Sequence, residues 1–152
     1  MKLKLIIACL STAAALNTAQ AQTPSSTSMN PAPTSDALYQ AFGEKAGLTQ
    51  LMDRFMVGLL ADARTAPFFV DANQSRVKML LVEQLCQESG GPCAYTGRSM
   101  TASHGNMGVE KSHFNALVEV LQQAMGAQGI SFSAQNQMLA RLAPMHRDII
   151  AK

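Results

Sequence analysis

Apolar residues recur along this chain at steps of three and four, and nowhere alternate for long enough to make a strand. Leu48, Leu51, Met52, Phe55, Met56, Leu59 and Leu60 form such a stripe, which predicts an amphipathic helix over about 46–62. Ahead of it, Ser35-Asp36 before Leu38, Tyr39 and Phe42 predicts a short capped helix ended by Gly43. Val77, Leu80, Leu81 and Leu85 predict a second long helix over 73–88, broken by Ser89-Gly90-Gly91-Pro92. Between Cys93 and Met107 there is room for only a short helix. Leu117, Val118, Leu121 and Met125 predict another helix over 109–125, stopped by Gly126 and Gly129. Ser133 is expected to cap a last helix with Met138, Leu139, Leu142, Met145 and Ile149 inward, kinked at Pro144. The fold class is all-α, in one domain.

The N-terminal stretch has a different character. Met1-Lys2-Leu3-Lys4, the apolar run Leu5 to Leu16, and Ala19-Gln20-Ala21 make the pattern of a cleaved export signal over residues 1–21. The run is short of the ~20 apolar residues that span a bilayer, so no membrane span is expected. Residues 22–35, rich in Pro, Ser and Thr, read as a flexible leader, and the domain covers 36–152. With 47% hydrophobic and 14% charged residues, a packed core is available. The net charge of +2 resides in Lys2 and Lys4, so the mature chain is formally neutral. That excludes an electrostatic nucleic-acid binder. Cleavage also removes Cys9 and leaves Cys86 and Cys93. In the bacterial periplasm, the expected destination, these two can bridge; two free buried thiols or a redox pair are the alternatives.

The chemistry concentrates on histidine. The chain has no zinc-finger spacing, no His-Glu-x-x-His, no phosphate loop and no Gly-x-Ser-x-Gly. His113, beside Lys111 and Ser112, and His146, beside Arg147, read as ordinary surface or core residues. His104 lies in the Gly-flanked segment Met100-Thr101-Ala102-Ser103-His104-Gly105, opposite two apolar helices. A satisfied core histidine is one reading. A single imidazole presented to an apolar cleft to hold haem iron is the other.

Leu38-Tyr39, Phe55…Leu59-Leu60-Ala61-Asp62, Pro67-Phe68-Phe69 and Gly90-Gly91-Pro92 follow one another along the chain. After them come Tyr95-Thr96-Gly97-Arg98-x-Met100-x-x-x-His104, His113-Phe114 and Leu142-Ala143-Pro144. Through these motifs residues 38–151 resemble the group 1 truncated haemoglobins, small globins built as a two-over-two helical sandwich around haem b. This resemblance covers nearly the whole domain. It implies that His104 is the proximal iron ligand and that Phe69 wedges against the porphyrin. It further implies walls from Phe68, Met56, Val77, Leu81, Leu85 and Met100, with Tyr95 donating to a haem propionate.

Departures from the family pattern bear on mechanism. Met56 and Leu81 stand where many relatives carry Tyr and Gln, and Val77 lies one turn before Leu81. None of the three offers an N–H or O–H to bound dioxygen. Gln84, at a position often Phe, is a candidate replacement donor, and Met56 either packs or ligates the iron. Leu80 replaces a basic residue that grips a propionate; Lys78, Arg76 or Arg98 could substitute. The expected function is reversible binding of O₂, NO or CO by a haem with an apolar distal pocket. Nitric-oxide dioxygenation or peroxidase chemistry fed by an unknown electron donor, and His/Met-ligated electron transfer, are the alternatives.

Overall fold

A computed structural model describes residues 36–150; the export segment and leader predicted over 1–35 lie outside the described residues. Helices make up the regular structure of the described residues, and no strand occurs among them. Asp36 precedes α1 (Ala37–Ala41), and instead of a side-chain cap its carboxylate accepts from Gln40 Nε2 at 2.9 Å. Gly43, at φ 74°, turns the chain into α2 (Glu44–Ala61). A one-turn 3₁₀ helix, Ala66–Phe68, follows, with Pro67 in its first turn. The long helix α3 (Gln74–Glu88) starts where Asn73 accepts the Arg76 N–H.

Short α4 (Met100–His104) is capped by Ser99, and α5 (Lys111–Ala127) follows. The last long helix is α6 (Phe132–Leu142), and its cap is Ser131 rather than Ser133. The earlier serine wins because its hydroxyl can reach the Ala134 N–H, three residues on. Around Pro144, which lacks an N–H, the α pattern gives way to a 3₁₀ turn, Ala143–Met145, before α7 (His146–Ile149).

The α2–α3 pair is layered on α5–α6, with α2 crossing α5 and α3 meeting α6. Leu48, Leu51, Met52, Phe55 and Leu59 of α2 meet Val82, Leu85 and Cys86 of α3 and Val120, Leu121 and Met125 of α5 in one core. Backbones approach closely where α2 crosses α5: a Cβ on Gly58 would lie 2.6 Å from Val120 Cγ1. This is a two-over-two sandwich, and its second, less densely filled region holds the site. No helix among the described residues is long and apolar enough to cross a membrane.

Candidate haem site

Between α3, α4, the start of α5 and the C-terminal segment lies a cavity of about 660 Å³. That volume falls inside the roughly 300–1,000 Å³ range of cofactor and ligand sites. Val77, Leu80, Leu81 and Leu85 of α3 form one wall. Phe68 and Phe69 close one side, and Phe114, Leu117, Val118 and Leu121 of α5 close another. Opposite α3 stand Met100 and His104 of α4.

His104 is held by its own helix. A carbonyl can only accept, so the 2.8 Å contact between His104 Nδ1 and the Met100 carbonyl puts the ring proton on Nδ1. In the neutral ring this leaves the lone pair on Nε2, and His104 lines the cavity. A hydrogen bond of this kind from the other ring nitrogen fixes the tautomer and orientation of a metal-binding imidazole. A flat, apolar macrocycle carrying iron fits these walls and this donor, with Nε2 of His104 to hold the metal.

The loop that delivers α4 is fastened to the end of α3. Cys86 and Cys93 form a disulfide (S–S 1.97 Å, Cα–Cα 5.7 Å), with Cys86 fully buried. Next to it, Tyr95 N–H donates to Gln87 Oε1 at 2.8 Å. Thr96 donates to Glu83 Oε2 twice, from N–H at 3.0 Å and from Oγ1 at 2.7 Å. Those two donors hold the Glu83 carboxyl below its ordinary value.

Of the wall residues expected from the sequence, Phe68, Phe69, Val77, Leu81, Leu85, Tyr95, Met100 and His104 all line the cavity. Met56 does not; it is 4% exposed but buried off the lining, and Met52 and Phe55 face the cavity from α2. Each residue turns a helix by about 100°, so the step from Phe55 to Met56 carries the side chain onto the neighbouring flank. Tyr95 reaches the cavity, but its hydroxyl donates to the Arg98 carbonyl at 3.0 Å. Gly97 makes room for that contact: a Cβ there would lie 2.2 Å from the Tyr95 hydroxyl oxygen. Burial and the nearby Glu83 charge push the Tyr95 hydroxyl up, so it stays protonated at neutral pH.

None of the basic candidates for a propionate lines the cavity. Lys78 pairs with Asp53 at 2.6 Å, and Arg98 donates to the Ala102 carbonyl. His113, read from the sequence as an ordinary surface or core residue, is a wall residue of the cavity. Its ring stands edge-on to Phe68 (centroids 5.0 Å apart), and its Nδ1 accepts the Glu110 N–H at 3.1 Å. The signal was its place three residues into α5, where a side chain folds back on the helix start.

Residues 37–151 match the family model described as bacterial-like globin. The chain is 30% identical over 113 residues to Group 1 truncated hemoglobin GlbN of Mycolicibacterium paratuberculosis, covering 74% of this chain and 83% of that one. It is 29% identical to the GlbN of a Nostoc species, covering 76% of this chain and 98% of the relative. Among solved structures, the 2/2 hemoglobin of Synechococcus sp. PCC 7002, in the cyanomet state with covalently attached heme, superposes with a TM-score of 0.70. That pair shares 25% identity over 74% of this chain and 97% of the other. The truncated hemoglobin of Tetrahymena pyriformis, in its Fe(III) form, gives 0.72 at 24% identity, covering 76% and 98%. The chain belongs to the bacterial-like globin family, as a group 1 truncated hemoglobin whose cofactor is haem.

Proposed function

We propose that this globin binds a diatomic gas (O₂, NO or CO) reversibly at a haem iron held by His104, in a pocket with an apolar distal side. One observation carries the reading: His104 lines the cavity with its Nδ1–H committed to the Met100 carbonyl, which leaves Nε2 as the nitrogen available to a metal. The haem supplies the iron at which a gas coordinates. The chain supplies the axial imidazole, aromatic and aliphatic walls that keep out water, and few hydrogens for the bound ligand. Val77 and Leu81 have none to give, and Thr65 directs its hydroxyl to the Leu59 carbonyl at 2.7 Å. Met56 lies off the lining, which weighs against it as a sixth ligand in a His/Met electron-transfer site.

The test is the visible spectrum of the reduced protein, with and without carbon monoxide. Five-coordinate iron that takes up carbon monoxide supports the reading; a sharp six-coordinate spectrum without added ligand overturns it. His104→Ala should abolish stoichiometric haem binding at equal protein concentration. The same reading places the protein in the periplasm, on the pattern of residues 1–21. N-terminal sequencing of the protein recovered from a periplasmic extract should start at Gln22.

A further inference from the structure

Gln84 is a buried amide in the cavity wall that apolar packing does not explain. It lies one turn after Leu81 on α3 and is only 9% exposed. Its Nε2 donates to Met145 Sδ at 3.0 Å and to Met100 Sδ at 3.8 Å. A buried amide needs partners, and thioethers are weak ones, so a position occupied only for its bulk would be better filled by Leu or Phe. What distinguishes these two thioethers is where they sit. Met100 opens α4, and its carbonyl accepts the His104 Nδ1–H. Met145 ends the 3₁₀ turn that leads into α7, and α7 packs against α4.

We propose that Gln84 is a positioning residue for the proximal imidazole. From α3 it clamps the residue whose carbonyl orients His104, together with the segment that leads into α7. This rests on the reading of His104 as iron ligand. The amide hydrogens point to the two sulfurs, so Gln84 does not act as the replacement donor to bound gas. Hydrogen bonding to the second nitrogen of an axial imidazole sets its orientation and basicity. Gln84 therefore tunes the iron–histidine bond from the opposite helix.

The experiment uses the full haem-loaded protein with Gln84→Leu, Met145→Leu and the double variant. Resonance Raman of the ferrous form reads the iron–histidine stretch, infrared of the carbon monoxide adduct reads the C–O stretch, and transfer to excess apomyoglobin reads haem loss. Each single variant should shift the iron–histidine band and speed haem loss roughly 2- to 10-fold. The double variant should do no more than the stronger single one, because both remove the same contact. The C–O stretch should stay put. An unshifted iron–histidine band in Gln84→Leu, or additive effects in the double variant, overturns the proposal. So does a C–O shift without an iron–histidine shift, which would make Gln84 a donor to the gas. Absence of an iron–histidine band in the unmodified protein would instead overturn the assignment of His104 itself. Should Gln84→Leu fail to fold, Met145→Leu alone reads the same contact from its other end.

Discussion

At the scale of single residues, His104 and the side chains across from it divide the work. His104 is fixed by an intrahelical hydrogen bond, a local consequence of sitting four residues after Met100 on α4. The opposing α3 residues Val77 and Leu81 contribute shape without hydrogens. A hydrogen bond to a partly charged ligand contributes about 1.5–3 kcal/mol. Replacing Leu81 by Gln should therefore slow oxygen dissociation by about 10- to 100-fold, as read by stopped flow with carbon monoxide as the scavenger. Leu81→Ile should leave that rate nearly unchanged, which separates donation from packing. Met56→Tyr is expected to have a smaller effect, because α2 turns position 56 off the cavity lining.

At the scale of elements, the segment between α3 and α4 is held by a disulfide and side-chain hydrogen bonds. The disulfide, the Gln87 contact and the Glu83–Thr96 pair join it to the last turns of α3. A Cys86→Ser/Cys93→Ser variant should lose about 2–3 kcal/mol of stability in urea unfolding, by the chain-entropy account of a short loop. Thiol titration of the unreduced, unfolded protein that begins at Gln22, and so lacks Cys9, should find no reactive thiol; two would refute the bridge. Glu83 gives this fastening a pH dependence. Its carboxyl titrates below the ordinary 4.5 when folded, so its contribution is present above that value and is lost as the pH falls further. Haem loss from the native protein should accelerate in that acid window, and Glu83→Gln should flatten the dependence. Gly58→Ala probes a different junction, since its new methyl would meet Val120. Overpacking of this kind destabilises by about 1–3 kcal/mol in chemical unfolding.

For the whole molecule, two regions of unlike density share one sandwich. The α2–α5 crossing is filled by side chains, with Leu48, Leu51, Leu59 and Met125 fully buried. The region between α3 and α4 keeps a cavity of about 660 Å³ that side chains do not fill. A ligand that binds only the folded state stabilises it by mass action. Haem removal should therefore lower Tm, and the region around α4 should lose amide-exchange protection before α2 and α5 do. Uniform loss of protection across all helices would show instead that the cavity and the core unfold as one unit.

Much of this was legible along the chain. Period and punctuation located the long helices to within a few residues, because amphipathic stripes and Gly/Pro breaks are local properties. The short helix ending at His104 was likewise legible, since a capped turn after a Gly-Gly-Pro break is written in consecutive residues; its reading as the iron ligand came from the family resemblance. Other features needed the tertiary structure. Which residue of α2 faces the cavity depends on the rotation of that helix against α3 and α5, and it was Met52 and Phe55 rather than Met56. The Tyr95 hydroxyl turned to the Arg98 carbonyl, a choice made by a close fit over Gly97. His113, an ordinary surface or core residue by sequence, stands in the cavity wall, and Gln84 met a sulfur 61 residues away. The sequence by itself determined the long helices and, to within a few residues, where they stop, because these follow from interactions between near neighbours along the chain. Only the tertiary structure decided what each side chain touches across the cavity, because that depends on how separate helices rotate and pack.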